Sequence, residues 1–279
     1  MPARLSTLLI GLAAATCSVA PSAALAQVRS HSADQGTYVD TVELSKKADL
    51  VVLVRVTQMK PVATATPGAL LPSHRRYYAE ASTKALLYGQ TGIGGSLRYL
   101  VDLPVAPGQG TADLTGKDVF LFASPVPGRP EEIKLVEPTA QQLWSPEREE
   151  RLRAVLRALV SPRAPPPVTG VRELSYVPGN LAGQGRTQIF LDTKKGPVTI
   201  AVRHLPGQAK TWGVSLSEVT GGDLHPPARD TLEWYNLACF MPASPPQSAY
   251  VSGPFSSKQQ AYADYRMVLA ALGPCERSH

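Results

Sequence analysis

Cysteine is scarce: three residues in a chain of 279, none in a Cys-x-x-Cys pair. That excludes a thioredoxin-type redox motif and the common structural zinc sites, which need paired sulfur or histidine ligands at short spacing. The five histidines are His31, His74, His204, His225 and His279. No two stand four apart, so no His-Glu-x-x-His zinc helix exists. Gly92-Ile93-Gly94-Gly95 lacks the Lys-Ser/Thr that a phosphate-cradling loop requires and reads as a turn. The Gly-x-Ser-x-Gly elbow of serine hydrolases is missing too. Its nearest approach, Gly213-Val214-Ser215-Leu216-Ser217, ends on serine, and Ser215 reads as a strand residue. Beyond the first residues no apolar run reaches the roughly 18 that suggest a membrane-spanning helix. No basic run with interleaved aromatics appears, which argues against nucleic acid.

The first residues are distinctive. Arg4 supplies a positive charge, Leu5 to Ala15 is mostly apolar, and Ala24-Leu25-Ala26 fits a small-x-small cleavage pattern. This predicts an export signal over residues 1–26, with cleavage between Ala26 and Gln27. Ala14-Ala15-Thr16-Cys17 offers a lipid-anchoring alternative at Cys17, a poorer match. Removing the leader with its single cation takes 28 basic against 22 acidic residues to a net charge of +5. A modest positive charge of that kind permits contact with an anionic polymer of the cell envelope. Cys239 and Cys275 then remain. An oxidising compartment makes a disulfide the expected state, closing a loop worth ~4 kcal/mol in the chain-entropy model. Two buried thiols and half of a metal site are the alternatives.

The proline run Ser161-Pro162-Arg163-Ala164-Pro165-Pro166-Pro167-Val168 divides the rest. Each proline fixes φ and removes a donor, so neither helix nor central strand continues through it. It predicts a stiff linker over 161–169, between a first unit at 37–160 and a second at 170–279. In the first unit, Thr37 caps a short helix running through Lys47. Leu50, Val52, Val54 and Val56 then share one face at period two, a strand signature. Tyr77 to Tyr88 reads as a strand with helix as the alternative. Ser96 to Leu103 and Val119 to Ala123 read as strands, as does the shorter Ile133 to Val136. Ser145 as N-cap and Pro146 at the first helical position open a helix. Its stripe is Leu152, Val155, Leu156 and Leu159.

The short helix, Ala48-Asp49-Leu50-Val51-Val52-Leu53-Val54-Arg55-Val56-Thr57, Ala85-Leu86-Leu87-Tyr88-Gly89 and Gly116-Lys117-Asp118-Val119-Phe120-Leu121-Phe122 together resemble bacterial netrin-module or TIMP-like exported domains. The resemblance covers residues 37 to 145. It implies a five-stranded OB-type barrel with flanking helices. Members that inhibit metalloproteinases use an N-terminal cysteine. Residues 27–160 hold none, so no inhibitory residue is implied.

In the second unit, Gly170, Gly179, Gly183 and Gly185 punctuate the entry. Residues 186–192 and 198–202 form a hairpin across Thr193-Lys194-Lys195-Gly196. Trp212, Val214 and Leu216 mark another strand. Leu232 to Met241 is ambiguous between strand and helix. Ser257-Lys258-Gln259-Gln260 reads as a capping box opening a last helix with the stripe Ala261, Tyr265, Val268 and Leu272. A Cys239–Cys275 bridge is expected to pin the end of that helix to the sheet. Tyr250-Val251-Ser252-Gly253-Pro254-Phe255 followed by this helix resembles the second strand–helix unit of SPOR domains, which bind peptidoglycan glycans.

Acidic and histidine residues offer no ready constellation. Asp223, His225 and Asp230 read as loop polars before metal ligands, and so do His31 and Asp34. Glu131-Glu132 and Glu147 to Glu150 are adjacent in sequence, which does not bring two acids together across a cleft. Trp212, Trp234, Tyr235 and Phe240 read as core before binding face. The expected fold is therefore mostly β with flanking helices: an OB-like barrel, then a smaller β-rich domain with a C-terminal helix. The expected function is an exported, non-catalytic binding module of the bacterial envelope. Its partner is a protein or an anionic polymer, with no catalytic, cofactor or metal residues assigned. A hydrolase whose site assembles only on folding and a peptidoglycan-binding protein are the alternatives.

Overall fold

The computed structural model describes residues 36–63, 70–90, 92–106, 108, 110–215 and 225–278. The predicted leader, its cleavage point at Ala26 and Gln27, Cys17, His31, Asp34, Asp223 and His279 lie outside them. The elements in order are α1 (Tyr38–Lys47), β1 (Leu50–Pro61), β2 (His74–Tyr88), β3 (Ser96–Ala106), β4 (Gly110–Thr111), β5 (Asp118–Val126), β6 (Arg129–Leu135), β7 (Gln141–Leu143) and α2 (Pro146–Val160). They continue with β8 (Val168–Pro178), β9 (Gly185–Thr193), β10 (Val198–His204), β11 (Thr211–Ser215), α3 (Leu232–Ala238), β12 (Tyr250–Val251) and α4 (Phe255–Leu272).

The local signals act as the sequence suggests. Thr37 Oγ1 accepts from the Asp40 amide while the Asp40 carboxylate accepts from the Thr37 amide, a capping box that starts α1. Ser145 accepts from the Arg148 amide with Pro146 behind it, which starts α2. Strands β1-β2-β3-β6-β5 pair in that order and β5 closes back on β1, giving a closed five-stranded barrel. Its one parallel contact sets Arg98 of β3 against Glu132 of β6. This is the OB arrangement, with β4 and β7 added to β3 and β5. Val119 to Ala123 of β5 are buried without alternation. A strand lining the barrel on one side and lying under a helix on the other shows no polar face.

The second sheet runs β11-β10-β9-β8-β12, antiparallel except for β12 beside β8. Helix α4 packs on β8 and β9. Two apolar cores result, and the helices are divided between them. Leu44 and Ala48 of α1 join the barrel core, whereas Tyr38, Val39 and Val42 join the core of the second sheet. Helix α2 does the same, with Leu152 and Leu156 on one side and Val155 on the other. Neither strand nor helix covers 161–167, and Pro165 O there accepts from Asn236 Nδ2 at 2.6 Å.

Four local expectations need correction. Strand β8 occupies the stretch that Gly170 appears to punctuate. The pairing with β9 shifts register between Val168 and Gly170, so this glycine marks a bulge inside a strand. The ambiguous segment at Leu232 is helix, because Thr231 Oγ1 caps it through the Trp234 amide. Helix α4 begins two residues before the predicted capping box. Pro254 precedes it without a side-chain cap, and Ser257 is buried in its first turn. A Cβ on Gly253 would lie 3.2 Å from Ser257 Cβ, so a bare backbone is what lets the chain turn in so tightly. Finally, Cys239 and Cys275 are disulfide-bonded, but Cys239 is the C-cap of α3. The bridge ties one helix end to the segment after another, not to the sheet.

Candidate functional site on the last helix

The sequence stripe Ala261, Tyr265, Val268 and Leu272 forms the inner face of α4, and all four are buried. Tyr265 Oη donates to Pro242 O at 2.6 Å, and burial pushes this phenol up to about 12. One residue on that face is not apolar. Asp264 is 0% exposed, facing the sheet from the middle of the helix.

Four side chains converge on its carboxylate. Oδ2 accepts from Thr187 Oγ1 of β9 and pairs with His204 Nε2 of β10 at 2.7 Å. Oδ1 accepts from Lys210 Nζ at 2.8 Å and from Gln260 Nε2 at 3.0 Å. The Tyr176 ring of β8 leans on His204 at 5.3 Å between centroids. Space for that ring comes from Gly185, where any Cβ would overlap the tyrosine hydroxyl. A lone buried carboxylate is costly, and it persists only when its lone pairs are taken up and its charge is balanced. Here both conditions are met by residues of the β9 and β10 strands, of the β10–β11 turn and of α4 itself.

This arrangement holds a charge in place; it does not present one. A histidine oriented by an acid serves catalysis when its far nitrogen meets a nucleophile. Ser215, the sequence's serine candidate, pairs with Thr199 in register. Strand alternation puts Thr199 and Ser215 on the sheet face opposite His204, about 16 Å along the strand at 3.3 Å per residue. The two residues are not brought together. His74 sits at the start of β2 with Nδ1 on Pro72 O, and His225 accepts from the Val214 amide through its carbonyl. Asp230 has φ of 59° in the approach to α3. Among the described residues no three His, Cys, Asp or Glu side chains cluster to hold a metal.

Several acidic residues of the first unit are taken up by neighbouring donors. Asp118 takes Arg55 and Lys84, and Arg55 first and Lys84 second hold its carboxyl below the usual range. Glu131 takes Arg98, Glu132 takes Arg129, and Glu149 takes Trp144 Nε1 and Arg153. A cleft of about 370 Å³ between the β5–β6 hairpin and the β2–β3 turn is lined by Leu50, Ile93, Pro125, Val126 and Ile133. Its two charged members include Arg129 and Glu132, already paired with each other. Of the aromatics, Trp234 and Tyr235 are core, whereas Phe240 stays 38% exposed.

The outer face of α4 differs from all of this. Phe255 is 76% exposed and Tyr262, two turns on, is 41% exposed. Lys258 and Arg266 are exposed one turn to either side of Tyr262. Neither cation enters a hydrogen bond or ion pair among the described residues, in contrast to Arg55, Lys84, Arg98 and Arg153. The helix itself sets no acid beside them: Asp264 is its only acidic residue and it faces inward. Sequence reasoning missed this site. The available signal was an aspartate at an inward position of an apolar stripe. No protein-family model matches the chain, and no curated protein matches it.

Proposed function

We propose that the protein is an exported, non-catalytic binding module of the bacterial cell envelope, and that the outer face of α4 is its binding surface. The observation that carries this is that face: exposed aromatic rings, and cations without a side-chain partner among the described residues, on a helix with its acid turned inward. The leader residues support export, and the Cys239–Cys275 disulfide fits an oxidising compartment. The barrel's strand order supports the netrin-type resemblance as a likeness of shape. The β12–α4 unit beside β8 supports the peptidoglycan-binding variant of this reading. A hydrolase reading draws on His204 and Asp264, but Ser215, the serine candidate, lies on the opposite face of the sheet from His204.

The test is co-sedimentation of the exported chain with a washed envelope fraction. The double variant Lys258→Glu/Arg266→Glu should lose binding while keeping the wild-type melting temperature. Wild-type protein that stays in the supernatant, or a double variant that pellets equally well, would overturn the reading.

A further inference from the structure

We infer that the outer face of α4 is a linear subsite for an acidic polysaccharide, with Tyr262 as its central stacking platform. This rests on the binding reading above and names its ligand class. The geometry comes from the helix itself. A rise of about 1.5 Å per residue places Lys258 and Arg266 about 6 Å to either side of Tyr262 along the axis. Phe255 lies about 10 Å beyond Tyr262 in the direction of the N-terminus. The order along one face is therefore ring, cation, ring, cation. A sugar chain bearing acid groups offers the complement, with flat C–H faces alternating with negative charge.

Three features suit the face to this ligand. Tyr262 is rigid and costs little side-chain entropy to immobilise, and its hydroxyl keeps one edge wet. Neither cation has a side-chain partner among the described residues, so a ligand acid displaces none of these. The third feature lies underneath. The helix's single acid, Asp264, would cancel part of the field of Lys258 and Arg266 if it shared their face, but at two residues from Arg266 and Tyr262 it stands on the opposite side. Its carboxylate is 0% exposed and is balanced internally by Lys210 at 2.8 Å. The same hub fixes α4 against β9 and β10, which keeps the spacing of the outer residues constant.

Rival occupants fit less well. A membrane surface calls for a broad apolar face, and between Phe255 and Tyr262 the exposed positions are Ser256, Lys258 and Gln259. A nucleic acid calls for a dense cationic track, whereas this face has one cation on each side of the central ring. A linear acidic glycan needs what is present, one stacking ring per few saccharide units and an occasional cation.

The experiment measures affinity of the exported chain for polygalacturonate, dextran sulfate, neutral dextran, polyphosphate and phosphatidylglycerol vesicles at low salt. The two acidic polysaccharides distinguish carboxylate from sulfate as the acid group. Binding to at least one of them should exceed binding to neutral dextran and to polyphosphate. Tyr262→Ala should weaken it by about tenfold, the loss of a well-packed aromatic contact. Lys258→Gln and Arg266→Gln should each weaken it by about threefold, and the difference should vanish at high salt. All three positions are exposed, so unchanged melting temperatures establish that the variants fold. Equal binding of Tyr262→Ala, or polyphosphate or vesicles binding as tightly as the acidic polysaccharides, would overturn the inference. Envelope co-sedimentation that still depended on Lys258 and Arg266 would leave the broader reading standing. Absence of envelope binding would remove both.

Discussion

Replacing Asp264 by asparagine keeps the shape of the side chain and removes its charge. Four donors then face a neutral amide whose nitrogen also donates. His204 can switch tautomer to accept from it, but Lys210 loses its counter-charge. Breaking a buried ion pair by removing one partner costs about 3–5 kcal/mol when the other charge stays trapped. Lys210 is not fully trapped, because its side chain is 37% exposed and can swing into water. The cost therefore falls at the low end, about 3 kcal/mol for Asp264→Ala and about 2 kcal/mol for Asp264→Asn. At 2–4 °C per kcal/mol for a chain of this size, the alanine variant should melt about 6–12 °C lower. A double-mutant cycle isolates the pair. Lys210→Met alone should destabilise, and the cycle with Asp264→Asn should return a coupling of about 1–2 kcal/mol. Thermal denaturation of the four proteins with the disulfide intact is the assay. An asparagine variant within about 0.5 kcal/mol of wild type, or a coupling near zero, would refute the claim that this carboxylate organises the α4–sheet contact.

Other perturbations test other joints of the structure. Cys239→Ala/Cys275→Ala should cost about 2–4 kcal/mol, read as a lowered urea midpoint, since the bridge spans 36 residues. Val155→Ala and Leu152→Ala should each destabilise, by about 1–2 and 2–5 kcal/mol, although they serve different cores. Both should lower a single unfolding transition in calorimetry, because α2 contributes to both cores at once. Acid should weaken the fold through Asp40, Asp118 and Glu149. Burial works against the Asp40 anion, but hydrogen bonds from Ser278 and Thr37 outweigh it. Arg55, then Lys84, lowers Asp118, and Trp144 with Arg153 lowers Glu149. A folded-state value below the ordinary 3.8 or 4.5 means that stability is fully present above those values and is lost as pH falls through the lower one. Melting temperature should therefore hold between pH 7 and 5 and fall below about pH 4, less steeply in Asp118→Asn. An equal slope in that variant would count against the pairing.

Local grammar made much of the fold legible. Thr37 caps α1, Ser145 and Pro146 open α2, and the alternation from Leu50 to Val56 announces β1, all from contacts within a few residues. Legibility ends where a residue's role depends on a distant partner. Gly170 reads as a break until β9 lies beside it and turns it into a bulge. Val39, Val42 and Leu44 are the apolar residues of one short helix, yet the chain assigns the two valines to one core and the leucine to the other. Residues 37–160 are contiguous and barrel-forming, and still Tyr38, Val39, Val42 and Val155 pack with the second sheet. Hydrophobic periodicity says that a residue is buried and not what it is buried against.

The same limit explains the candidate site. Periodicity identifies 261, 265, 268 and 272 as inward positions of α4, and Asp264 falls on that same face. An acid there conflicts with its surroundings, and a conflict of this kind points to something nonlocal that compensates it. Thr187, His204 and Lys210 are that compensation, and they lie 54 or more residues away in sequence. Once the carboxylate turns inward, the outer surface is left with Lys258, Tyr262 and Arg266 and nothing negative among them. The buried hub and the exposed face are thus two consequences of one placement. Moving the acid to the surface, by Asp264→Ala combined with Gln259→Glu, should weaken acidic-polysaccharide binding at low salt by about threefold relative to Asp264→Ala alone, the size of losing one exposed cation, whereas Asp264→Ala alone should lower stability and leave binding close to wild type. If both variants bind equally, the inward turn of Asp264 serves packing only.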